Sequence, residues 1–141
     1  MNYSKQGLQL TEKFEGVRLE AYLDQVGVPT IGYGHTRGVK LGDTCTQEQA
    51  EQWLLDDVRA CELCVNFHVA VPLTQGEFDA LVDFCFNLGC GALTGSTLLR
   101  KLNSSDFNGA AGEFEKWSHA GGKVVAGLLR RRIEEENEFL S

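Results

Sequence analysis

The sequence predicts an α+β fold, mostly helical, in which a small β-hairpin lobe accompanies a larger helical lobe. Alternating residues around an Asp-x-x-Gly turn, Asp24–Gly27, read as a hairpin of 18–24 with 28–34. Capping motifs at Thr46 and Thr74 each open a long run with apolar residues at helical spacing. Downstream, helix-period segments follow one another through short connections, with no repeats or low-complexity linkers. We expect one domain over 1–141, with a β-containing lobe at about 16–57 and a helical lobe at about 58–141 that includes the N-terminal helix.

The elements follow in order. Ser4 is an N-cap, residues 5 to 15 form a helix with Leu10, Phe14 and Val17 on one side, and Gly16 stops it. If Asp24 faces Val28 in the hairpin, Thr30 faces Tyr22. That register places Thr30 diagonally from Asp24 on one face, roughly 7–8 Å away. Gly32 and Gly34 continue that face without side chains. A slip of one residue would turn Thr30 to the other face. The helix opened by Thr46 runs to about His68, with Ala50, Trp53, Leu54, Val58 and Cys61 as its apolar stripe. Asp57 falls on the same stripe and needs a partner. Further helices are predicted from Thr74 to Gly89, near 96–103, near 106–116 and from about 125 to 139. In the last, Arg130–Glu134, Arg131–Glu135 and Arg132–Glu136 are i, i+4 pairs, expected in part on a solvated face.

Glu15, Asp24 and Thr30 are the candidate chemistry. Two carboxyl groups and a hydroxyl suffice to hydrolyse a glycosidic bond without a cofactor. Glu15, at the negative end of a helix dipole, is disfavoured in its charged form, which suits a proton donor. Each residue also has a plain structural reading: a solvated helix end, a turn former, a β-branched strand residue. The residues alone leave both readings open.

The run from Glu15 to Thr36 resembles the phage-type lysozymes: Glu, eight residues, Asp, five residues, Thr, then Gly32-Tyr33-Gly34-His35. The resemblance extends through Phe84–Gly89, Ser96–Asn103, Trp117 near Gly121-Gly122, and Gly127–Arg132 with Glu135. It implies the lysozyme-like two-lobed fold and an inverting muramidase, an endolysin cutting the β-1,4 bond between N-acetylmuramic acid and N-acetylglucosamine. Residue by residue, it implies that Glu15 is the general acid and that Asp24 and Thr30 hold the attacking water. Phe86, Asn87, Trp117 and Gly34 correspond to substrate-binding positions. Arg131 matches an Arg set against the catalytic Glu, with Arg130 and Arg132 one residue away. His35 is offered as the partner of Asp57, an ion pair tying the two lobes together. Alternatives are a lytic transglycosylase, which does not need the Asp–Thr water site, and a non-catalytic cell-wall-binding relative.

The net charge of −7 and pI of about 4.9 exclude a nucleic-acid partner. They also depart from the basic charge common among phage lysozymes. Arg100-Lys101 and Arg130–Arg132 are the expected source of a local positive surface. No apolar run is long enough to span a membrane, and Met1–Gln6 shows no signal-peptide core. We therefore expect a cytoplasmic monomer, with no membrane insertion, that reaches peptidoglycan glycan strands after a separate holin-type protein permeabilises the membrane. No cofactor or metal is expected. Of five cysteines, Cys61 and Cys64 form C-x-x-C with His68 following, but all three lie on one helix with no fourth ligand in view. Buried thiols are the expected state.

Overall fold

A computed structural model describes all residues, Met1–Ser141. Seven α-helices and four short strands follow in order: α1 Lys5–Glu15, β1 Arg18–Leu23, β2 Pro29–Gly32, α2 Gln47–His68, α3 Gln75–Leu88, α4 Cys90–Thr94, α5 Thr97–Asn103, α6 Phe107–Ala111, β3 His119–Ala120, β4 Lys123–Val124 and α7 Ala126–Leu140. A single 3₁₀ turn, Phe114–Lys116, precedes β3. The chain forms two compact units, Gln9–Ala60 and a second made of Met1–Leu8 with Cys61–Ser141. The division falls inside α1 and inside α2.

In Gln9–Ala60, local sequence explains most of the geometry. Gly16 ends α1 with a positive φ of 67°, and its N–H donates to the Glu12 carbonyl at 3.0 Å. Strands β1 and β2 pair antiparallel with Tyr22 opposite Thr30 and Leu23 opposite Pro29. This is the unslipped register of the two that the hairpin pattern allows. Between Arg18 and Tyr22 the register shifts, a bulge that the alternation did not reveal. The Gly27 N–H donates to the Asp24 carbonyl at 3.0 Å, closing the Asp-x-x-Gly turn. The Gln49 N–H donates to Thr46 Oγ1 at 3.1 Å at the start of α2. Ala50, Leu54 and Val58 are buried from that helix, as its stripe requires.

The other unit is built around α3. Thr74 and Glu77 complete a reciprocal capping box, and Gly89 closes the helix. The centre of α3, from Phe78 to Cys85, is buried without interruption and packs against α7. Phe84 meets Phe114 edge-on at 5.8 Å, and Phe114 meets Phe139 at 5.5 Å. Ser4 caps α1 through the Gly7 N–H at 3.0 Å, and its backbone N–H donates to Asp79 at 3.2 Å.

Three features differ from the expected elements. The 106–116 helix breaks at Gly112 into α6 and the 3₁₀ turn. Helix α4, five residues starting just past Gly89, was too short to carry a period. A second hairpin, β3–β4, turns on Gly121 and Gly122, both at positive φ, which suits a two-residue turn.

The cysteines also differ from the expectation of free thiols. Cys64 and Cys90 form a disulfide spanning 26 residues, while Cys61 and Cys85 are buried and not disulfide-bonded. Cys90 lies beyond the helix end where sequence offered no partner for Cys64. Cross-linking a loop of this length should contribute about 3–4 kcal/mol by restricting the unfolded chain. Replacing both residues, Cys64→Ser with Cys90→Ser, should therefore lower the urea midpoint markedly under non-reducing conditions. An unchanged midpoint would mean the bond adds no stability.

Candidate active site

Glu15, Asp24 and Thr30 all lie in the Gln9–Ala60 unit. Asp24 and Thr30 are positioned by backbone. Asp24 accepts from the N–H groups of Val26 and Val28 at 2.9 and 2.8 Å, both on Oδ1. This turn chemistry fixes the carboxylate and leaves Oδ2 to face another donor. Thr30 is buried, 3% exposed, and its hydroxyl donates to the Val28 carbonyl at 2.9 Å. With its proton committed, Oγ1 can only accept further hydrogen bonds. The turn that fixes Asp24 thus also sets Thr30 as an acceptor two residues on.

After Thr30 the chain makes a tight reversal. Ile31 and His35 exchange both backbone hydrogen bonds at 2.9 Å. Gly32 and Gly34, at φ 67° and 78°, permit it. Gly34 also leaves room for Glu15: a Cβ at this position would stand 3.0 Å from Glu15 Oε1. Gly32 packs closely on Ala50, where a Cβ would stand 3.2 Å from the Ala50 Cβ. The reversal thereby brings the glycine face of the hairpin to the C-terminal end of α1.

His35 leaves this reversal onto α2. Its ring stacks on Trp53 at 4.5 Å, nearly parallel, and its Nδ1 lies 2.9 Å from Asp57 Oδ2. The expected His35–Asp57 pair is present. Both residues belong to one unit, so it fastens the hairpin exit to α2 where a tie between lobes had been expected.

Phe86, Asn87 and Trp117 lie in the other unit, all half-buried. The buried Arg132 joins two of them: its Nη2 donates to Asn87 Oδ1 at 2.9 Å and its Nη1 to the Trp117 carbonyl at 3.4 Å. The Trp117 ring also stands edge-on to Phe84 at 5.4 Å. Arg131 is held by Asp83 through two parallel hydrogen bonds of 2.9 Å. Arg132 Nε lies 2.6 Å from Glu135 Oε1, an i, i+3 pairing. These arginines do not form the solvated, positively charged face expected of them: Arg131 is 4% exposed, and Arg132 and Glu135 are fully buried. Only Arg130 of the three is exposed. Sequence reasoning missed Asp83 and the organising role of Arg132. Asp83 carried a faint signal as a charge within the otherwise apolar run of α3.

Glu135 and Glu12 are among the acids with shifted titration. Burial, and then the nearby Asp83, push the Glu135 carboxyl well above its ordinary 4.5, with Arg132 opposing. One turn before Glu15, burial and then the Glu51 carboxylate raise Glu12 above 4.5.

The fold is that of the phage-type lysozymes. The Phage lysozyme family model matches residues 12–135, and the chain belongs to that family. It is 46% identical, over its whole length and 99% of the relative's, to an endolysin from Acyrthosiphon pisum secondary endosymbiont phage 1. The endolysin from Escherichia coli O157:H7 phage FAHEc1 superposes with TM-score 0.93 and 41% identity, covering 100% of this chain and 94% of that one. The muramidase domain of SpmX from Asticaccaulis excentricus gives TM-score 0.94 and 39% identity, covering 99% and 98%.

The Glu12 shift predicts a pH signature. A carboxyl whose folded-state pKa is raised binds protons more tightly when folded, so stability falls as pH rises from the unfolded pKa through the folded one. Glu12→Gln should raise stability at neutral pH and have no effect well below pH 4.5. Thermal melts across that range check it, and a gain that persists at low pH would contradict the assigned cause.

Proposed function

We propose that this chain is an endolysin that hydrolyses peptidoglycan as an inverting muramidase, with Glu15 as general acid and Asp24 and Thr30 as the water-holding pair. The observation that carries this reading is the pair of committed groups on the hairpin. Asp24 Oδ2 and Thr30 Oγ1 both present acceptors, while their other capacity is used by the same turn. A water that donates one proton to each has its lone pair free for the anomeric carbon. Asp24 takes a proton as the new C–O bond forms. Glu15 gives its proton to the departing sugar oxygen, and exchange with solvent restores both carboxyl groups. Attack from the face opposite the leaving group inverts the configuration. Phe86, Asn87 and Trp117 are the proposed sugar-binding residues, the last two held by Arg132.

We also propose that a single copy acts on the host wall, made in the host cytoplasm and released by a separate holin-type protein. No helix of the chain is long and apolar enough to cross a membrane.

Glu15→Gln keeps size and removes the proton donor, so turnover on purified peptidoglycan should fall by about 10²–10⁴-fold with stability unchanged or slightly raised. Rapid NMR of the first product should show the α-anomer. An initial β-anomer would instead make Asp24 a nucleophile and remove Thr30 from the mechanism.

Gly34→Ala tests the fit between reversal and acid. The left-handed backbone disfavours a side chain by about 1–2 kcal/mol, and the new methyl would crowd Glu15 Oε1. A misplacement on the order of 1 Å costs up to about 10²-fold in rate. Turbidity assays should show a rate loss larger than the stability loss explains. Full turnover in a folded Gly34→Ala variant would show that Glu15 does not depend on this contact.

A further inference from the structure

Cys64, His68 and Cys90 bring two sulfurs and an imidazole nitrogen within 4.8 Å of one another. The cluster shares no residue with the carboxylate site. Cys64 and His68 are one turn apart on α2, so they project from the same side. Cys90 arrives from the far side of Gly89, whose φ of 99° turns the chain from α3 into α4. The single-helix arrangement read from the C-x-x-C motif lacked such an opposing ligand, and the fold supplies it. Cys61 is engaged elsewhere, with its side chain hydrogen-bonded to Cys85.

We infer that Cys64, Cys90 and His68 form a redox-exclusive site for a borderline divalent cation of the zinc type, open when the two cysteines are reduced and closed by their disulfide. The chemistry balances simply. A thiol or phosphine reductant supplies two electrons, the S–S bond breaks, and each sulfur takes a proton. Ion binding then displaces both thiol protons as two metal–thiolate bonds form. His68 adds the third ligand as neutral imidazole, and a fourth position is left for solvent or an exogenous donor.

The geometry suits a tetrahedral ion. Metal–sulfur bonds of about 2.3 Å and metal–nitrogen bonds of about 2.0–2.1 Å set S and N roughly 3.5 Å apart and the two sulfurs roughly 3.7 Å apart. Cys64 Sγ and His68 Nδ1 are 3.9 Å apart. The Cα atoms of Cys64 and Cys90 are 6.1 Å apart, which lets the reduced sulfurs separate by side-chain rotation. His68 Nδ1 also lies 2.9 Å from the Cys64 carbonyl. Ligation through that nitrogen gives up the bond and leaves the ring proton on Nε2. The backbone is braced for this: Asn103 donates to the His68 carbonyl at 3.0 Å and accepts from the Ala70 N–H at 2.8 Å. The site would therefore be held in place at the end of α2 whether or not an ion is bound.

The test uses the full chain in disulfide and phosphine-reduced forms. Zn²⁺ affinity is read by competition with a chromophoric chelator, and Co²⁺ serves as the optical probe. The expected result is one equivalent bound after reduction, with a sulfur-to-cobalt charge-transfer band, and release when a disulfide oxidant such as oxidised glutathione takes up two electrons and the Cys64–Cys90 bond re-forms. His68→Ala retains both cysteines and the disulfide. Loss of a mere supporting group costs about 10–100-fold in metal affinity, so losing this ligand should cost at least that much. Cys61→Ser with Cys85→Ser should leave binding unchanged, with circular dichroism confirming the fold of each variant. Equal affinity in the disulfide form, an unaffected His68→Ala variant, or loss of binding in the Cys61/Cys85 variant would each overturn the assignment.

Discussion

The reversal from Ile31 to His35 is the constraint on which the candidate site rests. Two backbone hydrogen bonds close it, and the residues it carries meet both α1 and α2. Thr30 enters it from β2, Gly32 lies on α2, Gly34 faces the end of α1, and His35 continues onto Trp53 and Asp57. Glycine is needed at 32 and 34 for two reasons at once, a positive φ and the absence of a Cβ. A side chain at either would strain the turn and push apart the surfaces that it joins. The chemistry of Asp24 and Thr30 depends on the same economy, since one tight turn uses up one oxygen of the carboxylate and the proton of the hydroxyl.

The second unit solves a different problem. Burying Arg131, Arg132, Asp83 and Glu135 takes charges out of water, a large desolvation cost unless geometry and pairing are close. The pairing here is close: Arg131 is bound by both oxygens of Asp83, and Arg132 contacts Glu135, Asn87 and the Trp117 carbonyl. Breaking one partner would strand a buried charge. In return, the network fixes the orientation of Asn87 and Trp117, which a purely apolar core would leave to packing alone. Burial, and then the neighbouring Asp83, raise the Glu135 carboxyl against the opposing pull of Arg132.

An acidic net charge sits uneasily with an anionic wall as substrate, and the structure sharpens the point. Two of the three consecutive arginines are neutralised inside the unit, and Lys101 is engaged with Glu113 at 3.3 Å. Arg131, Arg132 and Lys101 therefore add little to a broad positive field.

Sequence alone determined what depends on neighbours a few residues apart. Ser4, Thr46, Thr74 and Gly16 mark helix ends because caps and left-handed glycines are local chemistry. The hairpin itself followed from an Asp-x-x-Gly turn, and the Glu15–Asp24–Thr30 spacing carried the family resemblance. Tertiary structure decided the rest. Local patterns could not show that Cys90 would meet Cys64, because their contact depends on how α3 ends and α4 begins. Nor could they show that Arg131 and Arg132 point inward: an i, i+4 charge pattern looks the same on a wet surface as beside Asp83. Asp57 lies between these cases. Its place on an apolar stripe announced the need for a partner, and only the reversal at Ile31–His35 brought that partner within reach.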